Sequence, residues 1–418
     1  MEPHGGRNVA AGGASREWLP SDRAVAPPHP HAHAALRRQP EPRRRPAPRR
    51  VALPLAPLVP PLPVPPAPRR GLRAVAHAHG VRRPPRRAAG RRHRPLRTLG
   101  AAHDVTTGAA PLEQRLKAQA YGLGFDLAGI ATLGPVGTAS AFDAWLAAGH
   151  AGEMTWLAKH ADLRADTTRP EPGMRSALVV ALDYGGKQPP GPVARYARGA
   201  DYHRLMWDRL DAVGTWLADE IGARSRAYVD TGPVLERDLA RKAGLGWFGK
   251  NTMLINPERG SFFFLGALFT DAALAPDAPF DADRCGTCTR CLEACPTGAF
   301  VAPHVLDANR CISYLTIEHR SEIPAAMRPL VGDAIYGCDI CQDVCPWNVS
   351  FARDLAEPAF ASRAFVAHKD APTLARDLLA LDDDAYRAAF KGSPMKRAKL
   401  PGLKRNASVV LANGGTAG

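Results

Sequence analysis

The eight cysteines of the chain all fall between residues 285 and 345, and their spacing points to iron–sulfur chemistry. Cys285, Cys288, Cys291 and Cys295 form a C-x2-C-x2-C-x3-C run closed by Pro296. Cys338, Cys341 and Cys345 form a shorter run closed by Pro346, with Cys311 between the two. Soft thiolates suit iron, and tight loops set three sulfurs around one cube. In two-cluster ferredoxins the fourth cysteine of each run crosses to the other cluster. That rule assigns one [4Fe–4S] cluster to Cys285, Cys288, Cys291 and Cys345. It assigns the second to Cys295, Cys338 and Cys341. The position three before Cys338 holds Ile335, so Cys311 is left to supply the fourth sulfur from a loop. Two zinc sites would use the same number of thiolates, but zinc motifs pair CxxC with CxxC and do not call for Cys-Pro at the end of both runs. A disulfide framework fits clustered cysteines without a secretory signal poorly. Two adjacent clusters imply electron delivery in single steps.

Other groups could act beside them. Gly244-Leu-Gly-Trp-Phe-Gly-Lys250-Asn251 nearly spells a phosphate-binding loop. Asn251 replaces the hydroxyl that would meet magnesium, and a helix rather than a strand precedes the loop, so nucleotide hydrolysis is excluded. Such a loop can still offer backbone donors to an anionic or amide-bearing ligand. Asp230, ahead of Thr231-Gly232-Pro233, reads as a turn or helix cap. The alternative is a general acid whose pKa is raised by burial. Arg195-Tyr196-x-x-Gly199-x-Asp201-Tyr202-His203 is dense in polar aromatics, and a lone His there is more often a surface residue or cap than a ligand. Residues 385–418 hold seven basic residues, among them Lys396, Arg397, Lys404 and Arg405, and no acid. That pattern is a solvated helical face or a phosphate-contacting patch.

These residues need elements to hold them. Leu112–Tyr121, Ala139–Ala148, Met154–Lys159, Asp201–Ile221 and Val234–Ala243 have helical patterns. Asp126–Ala131, Ala177–Leu182, Arg226–Val229, Met253–Ile255 and Phe262–Phe269 are apolar runs of strand length. Alternating helix and strand over 109–270 indicates a mixed α/β domain. The cysteine segment follows, and 353–418 is mostly helical in pattern.

Charge separates this body from what precedes it. The chain has 418 residues and a net charge of +15, but residues 1–100 hold 21 Arg and four acids, leaving the remainder at −2. Residues 1–108 read as a disordered Arg/Pro-rich tail. The eight prolines of Val51–Pro68 exclude a membrane helix. A nucleic-acid arm and a transit peptide are two readings of the tail. The third, carried forward here, is translation from a start called too early, with Val105 as a non-Met start.

With these residues in hand, the chain resembles the epoxyqueuosine reductases of tRNA queuosine biosynthesis over about residues 111–412. The resemblance rests on Arg195–His203, Tyr228–Arg237, Ala243–Asn251, Gly260–Gly266, Arg310–Thr316, Tyr336-Gly-Cys-Asp, Lys404-Arg-Asn406 and the cysteine spacing. It implies an α+β protein: a nitroreductase-like cobalamin domain at 109–275, a ferredoxin-like two-cluster domain at 276–352, and a helical segment at 353–418. Many members continue with HEAT-like repeats that help hold tRNA, so the segment ending at Gly418 reads as a truncated version of that region. The resemblance implies base-off cobalamin, cycling between cob(II)alamin and cob(I)alamin, and two [4Fe–4S] clusters. It also implies tRNA carrying epoxyqueuosine, an unidentified electron donor, a cytoplasmic monomer and no membrane. The aspartate of the family's V-D-[TS] motif falls on Asp230, which becomes the proton donor as the epoxide oxygen leaves. Corrin contacts fall on Arg164, Asp230, Lys250, Asn251, Thr252, Leu265 and Ser313, and tRNA contacts on Lys396, Arg397, Lys404 and Arg405. Two rivals are a corrinoid reductive dehalogenase and a plain electron carrier. Arg43-Arg44 lacks the apolar stretch of an export signal, and a carrier leaves 109–270 unexplained.

Overall fold

A computed structural model describes residues 110–414, so the expectations for the basic tail lie outside the described residues. The sheet is built from the most continuous apolar runs. β1 (Leu127–Thr132), β2 (Ser176–Asp183), β3 (Ser225–Tyr228) and the later Phe263–Thr270 pair in the order β1, β2, Phe263–Thr270, β3, every pairing antiparallel. β2 is buried along its whole length, as a strand covered on both faces must be. Its alternate residues divide between two cores. Leu178, Val180 and Leu182 pack on Leu116 and Ala120 of α1 (Leu112–Gly122) and on Met206, Leu210, Val213 and Leu217 from 202–221. Ala177, Val179 and Ala181 face Leu239 and Ala240 on the opposite side. Helices on both faces of an antiparallel sheet make this an α+β body, as the resemblance implied.

Four further helices precede the site. They are α2 (Ala139–Ala147), α3 (Thr155–Lys159), α4 (Ala161–Arg164) and the long α5 (Tyr202–Ile221), capped by the Asp201 side chain, which accepts from the His203 N–H. After β3 the chain turns through Asp230 into α6 (Glu236–Lys242), then a hairpin of β4 (Trp247–Phe248) and β5 (Leu254–Ile255), before the sheet strand β6 (Phe263–Thr270). α6 starts two residues later than its apolar pattern suggests, because Val234 and Leu235 belong to the Asp230 turn.

The cysteine segment has little regular structure. It holds α7 (Arg290–Glu293), a hairpin of β7 (Phe300–Ala302) and β8 (Val305–Leu306), α8 (Ile312–Ile317), α9 (Arg328–Val331), α10 (Ile340–Asp343) and α11 (Pro346–Phe351). The C-terminal helices α12 (Ala371–Ala380), α13 (Asp383–Ala389) and α14 (Lys399–Gly414) are not an appendage. They share a core with Val193, Ala197, Ile335 and Tyr336. Fully buried Asn406 donates to the carbonyls of Thr316 at 2.8 Å and Ile335 at 2.9 Å, tying α14 to α8 and to the second cysteine run. Among the described residues no helix is long and apolar enough to cross a membrane.

Candidate active site

The fold gathers the cysteines into two quartets. Burial, then the charges of Cys345, Cys285 and Cys288, push the Cys291 thiol up to about 11. The same four cysteines line a cavity of about 370 Å³ with Lys250 and Trp347. Cys338, pushed up to about 12, is buried and then feels Cys311, Asp339 and Cys295. Cys341 feels Cys338 and Cys311 and, across the gap between quartets, Cys291. Cys345 thus lies with Cys285, Cys288 and Cys291, while Cys295 and Cys311 lie with Cys338. All eight are free thiols. Among the described residues no three His, Cys, Asp or Glu converge tightly enough to chelate one ion.

The glycine loop is the strap that holds these quartets. Gly246 lies against β5 so closely that a Cβ would sit 2.1 Å from the Ile255 carbonyl oxygen. At the hairpin tip the Lys250 ammonium donates to the carbonyls of Gly286 at 2.6 Å and Cys288 at 3.0 Å, inside the first cysteine run. The Asn251 amide donates to the Cys341 carbonyl at 3.2 Å, inside the second. The sequence reading placed both residues on the corrin. Here their side-chain donors serve the cluster loops, because the hairpin loop of residues 249–253 reaches both runs.

The polar aromatic motif divides between two tasks. At its start, buried Arg195 bridges Asp339 at 3.0 Å and Asp343 at 2.7 Å, bracing α10 between the cluster ligands. At its end, the first turn of α5 carries Tyr202 and His203 to the Asp230 turn. The Tyr202 hydroxyl donates to Asp230 Oδ2 at 2.7 Å, and His203 Nε2 lies 3.7 Å from the same oxygen. On its other edge His203 Nδ1 meets Asp201 Oδ1 at 2.6 Å. The Tyr202 ring is stacked between Phe264 at 4.0 Å and His203 at 4.1 Å, which fixes both polar tips. Asp230 holds a positive φ of 57°, a conformation an Asp tolerates and one common where a backbone is held for function.

The electrostatics reverse the sign expected for an acid raised by burial. The Asp230 side chain is 68% accessible. Surrounding protein works to raise its carboxyl, but His203 and the Tyr202 hydroxyl outweigh that and hold it below the usual carboxylate value. Burial opposes charge on His203, yet Asp201 and Asp230 together raise it to about 9. At neutral pH the pair is carboxylate and imidazolium. Beside them burial pushes the Glu236 carboxyl up to about 7, with the Asp230 charge adding to it. Its Oε1 is buried without a partner. Arg164, buried and within electrostatic reach of Glu236, donates only at 3.3 Å to the His160 carbonyl and at 3.5 Å to that of Leu157. An unpartnered carboxyl oxygen and a weakly engaged guanidinium suit the carboxamides on a corrin rim, which both donate and accept.

The remaining sequence candidates fall as follows. Leu265 is half-buried on β6 opposite Ala181, Thr252 holds a positive φ of 65° at the hairpin tip, and Ser313 opens α8 with its N–H on the Cys311 thiol. Of the basic residues, Lys396 is exposed and Lys404 half-buried. Arg397 pairs with Glu318 at 2.9 Å and covers the Trp156 ring at 5.0 Å. The Arg405 guanidinium donates to the carbonyls of His319 at 2.7 Å and Leu315 at 2.7 Å, which clamps the end of α8. Sequence reasoning treated His203 as a surface residue or cap and gave Asp201 and Glu236 no role. Asp201 does cap α5, but contact across 28 residues with Asp230 is invisible in a local pattern.

Comparison with known proteins agrees with this geometry. Residues 164–231 match the family model described as epoxyqueuosine reductase QueG, DUF1730, and residues 284–348 match the 4Fe-4S double cluster binding domain. The chain is 43% identical over 325 residues to an epoxyqueuosine reductase of Xanthomonas campestris, covering 75% of this chain and 89% of that one. It is 40% identical over 313 residues to that of Escherichia coli, covering 72% and 81%. A solved epoxyqueuosine reductase with an epoxyqueuosine-modified tRNA-Tyr stem loop superposes with a TM-score of 0.65 at 30% identity, covering 73% of this chain and 82% of that one. The same figures describe a Bacillus subtilis epoxyqueuosine reductase with a catalytic aspartate loop swung out of the active site.

Proposed function

The chain belongs to the epoxyqueuosine reductase family, and from this membership and the contacts around Asp230 we infer how its residues divide the work. The reaction reduces epoxyqueuosine to queuosine at the wobble position of tRNA, with cobalamin and two [4Fe–4S] clusters as cofactors. An epoxide, two electrons and two protons give an alkene and water. Bound cobalamin supplies a strongly nucleophilic reduced cobalt, and the organic chemistry belongs to it. The protein's part is to hold the corrin, bring the epoxide into line, and meet the departing oxygen with a proton.

In this reading Arg164 and Glu236 engage corrin carboxamides, and Thr252, Leu265 and Ser313 lie along the same wall. Cys285, Cys288, Cys291 and Cys345 hold one cluster, and Cys295, Cys311, Cys338 and Cys341 the other. Electrons enter singly from an external one-electron donor. Lys396 and Lys404 contact the tRNA backbone, with Arg397 and Trp156 nearby. The chain works as a cytoplasmic monomer, where its tRNA substrate is found. Asp230 delivers the proton. The observation that carries this role is an accessible carboxyl in a positive-φ turn, bound by the Tyr202 hydroxyl at 2.7 Å with the His203 ring 3.7 Å away.

The test is Asp230→Asn. Asn tolerates the same φ and keeps the Tyr202 bond, but carries no acidic proton. Loss of general acid catalysis should slow single-turnover reduction of epoxyqueuosine in tRNA by roughly 10²–10⁴-fold, about 3–5 kcal/mol of barrier. Corrin absorbance, iron content and melting should stay close to wild type. A near wild-type rate would reduce Asp230 to a turn residue.

A further inference from the structure

Asp230 cannot meet the demand for protons alone. The reaction consumes two protons for one oxygen: the first as one C–O bond opens, the second as the other breaks and water leaves. One carboxyl carries one proton at most, and here it is held ionised. A second group must store a proton, stand beside Asp230, and reach solvent to be refilled. His203 meets all three conditions. Nε2 lies 3.7 Å from Asp230 Oδ2, Nδ1 is 2.6 Å from Asp201, and the side chain is 22% accessible.

We propose that His203, charged by Asp201, is the proton store that loads Asp230 for each of the two protonations of the leaving oxygen. The inference rests on the reading of Asp230 as the donor to that oxygen. The geometry resembles an Asp–His pair set behind an acid, in which a buried carboxylate fixes the imidazole's orientation and stabilises its charged form. Asp201 is suited to this because it is held twice. It caps α5 through the His203 N–H at 3.1 Å and meets the same ring 2.6 Å away. The Tyr202 and Trp207 rings, 4.1 and 5.6 Å from the imidazole, limit its rotation. The charged and titratable groups facing this pair are few. Asp201 and Asp230 flank the imidazole, with Tyr202 stacked on it. Glu236, Arg237 and Arg397 act on Asp230, and Arg363 acts on Asp201. A proton therefore passes from solvent to His203, from His203 to Asp230, and from Asp230 to oxygen. The two electrons arrive separately through the clusters from the external donor. His203 acts through Asp230 and is a positioning and relay residue, not one that touches substrate.

The experiment uses the full holoenzyme with epoxyqueuosine-bearing tRNA. In wild type the single-turnover rate should fall at alkaline pH with a midpoint close to the His203 value of about 9. His203→Gln should lose roughly 10²-fold in rate and lose that alkaline limb, while binding tRNA, corrin and iron normally. Asp201→Asn keeps the helix cap but removes the charge, so the limb should move down by about one unit or more, roughly a tenfold loss at pH 9. A readout independent of turnover is nitrogen-15 histidine resonance. One imidazole titrating near 9 should vanish in His203→Gln and shift down in Asp201→Asn. The proposal is overturned if His203→Gln keeps the wild-type rate and limb while Asp230→Asn is slow. An unmoved limb and resonance in Asp201→Asn also overturn it. If Asp230→Asn itself turns over normally, the reading of Asp230 has failed instead, and the two outcomes are distinct.

Discussion

Crossed ligation makes a prediction that pairs of substitutions can read directly. Cys345 neighbours Cys285, Cys288 and Cys291, whereas Cys295 neighbours Cys311 and Cys338. If each run instead filled its own cluster, Cys295 would belong with Cys285, and Cys345 with Cys338. Each intact cube holds four irons, so the full protein should carry about eight. Two substitutions within one quartet should cost no more than one, because a cube that has lost a ligand is already compromised. Two substitutions in different quartets should add, as independent sites do. Cys285→Ala with Cys345→Ala should therefore keep about four irons, and Cys285→Ala with Cys295→Ala should keep close to none. Uncrossed ligation gives the opposite ranking. Cys311→Ala should match any other single loss from its quartet, and Cys311→Ala with Cys341→Ala should be no worse. The assay is iron and sulfide per chain after anaerobic purification, with the cluster absorbance as a check. A Cys285/Cys295 pair that retains four irons while Cys285/Cys345 retains none would refute the assignment.

Three further outcomes follow from particular contacts. Asp183 is buried with Oδ2 unpartnered and is raised to about 6. The folded state thus holds a proton that the unfolded chain has released, and stability falls as pH rises from about 4 to 6. Asp183→Asn should flatten that slope, worth about 3 kcal/mol at most, in denaturant titrations across the window, and an unchanged slope counts against it. Asn406→Leu strands the Thr316 and Ile335 carbonyls and should cost roughly 2–5 kcal/mol by the same method, whereas a loss under about 1 kcal/mol would mean the tie is dispensable. Lys396→Glu with Lys404→Glu should weaken tRNA binding and flatten its salt dependence by about one to two in slope, while Arg405→Gln should lower melting with little change in that slope.

Legibility followed the range of the interaction. β2 and β6 could be read because a strand covered on both faces needs an unbroken apolar run, and 176–183 and 263–270 supply one each. The long helix at 202–221 announced itself by its apolar period. The double-cluster segment could be read from the cysteine spacing, which is local along the chain. What did not yield was any property set by a partner far along the chain. Lys250, Lys404 and Arg405 are equally basic in the sequence, yet Lys250 is fastened to the first cysteine run and Arg405 to the end of α8. Only Lys404 is left without such carbonyl clamps among the hydrogen bonds described. The sign of the Asp230 shift could not be read for the same reason: burial alone raises a carboxyl, and the opposing imidazolium comes from another element.

The Arg195–His203 motif shows why such residues cluster in sequence at all. Between its ends lies a 3-10 turn, Arg195–Ala197, and a close approach at Gly199, where a Cβ would sit 2.5 Å from the Phe360 Cα. One end locks Asp339 and Asp343, which flank Cys341 on α10. The other sets Tyr202 and His203 on Asp230. Nine residues of chain thus span from the support of the second cysteine run to the proton-handling turn. A two-electron reduction that also needs two protons works only if both arrive at the same bound substrate. A short, tightly packed segment holds the two supplies at a fixed separation more firmly than two independent loops would, because any displacement of one end must distort the other. Arg195 carries the consequence: Arg195→Lys would lose the forked contact with both aspartates. It should then disturb the cluster absorbance and the His203 titration together, even though Arg195 touches neither iron nor imidazole.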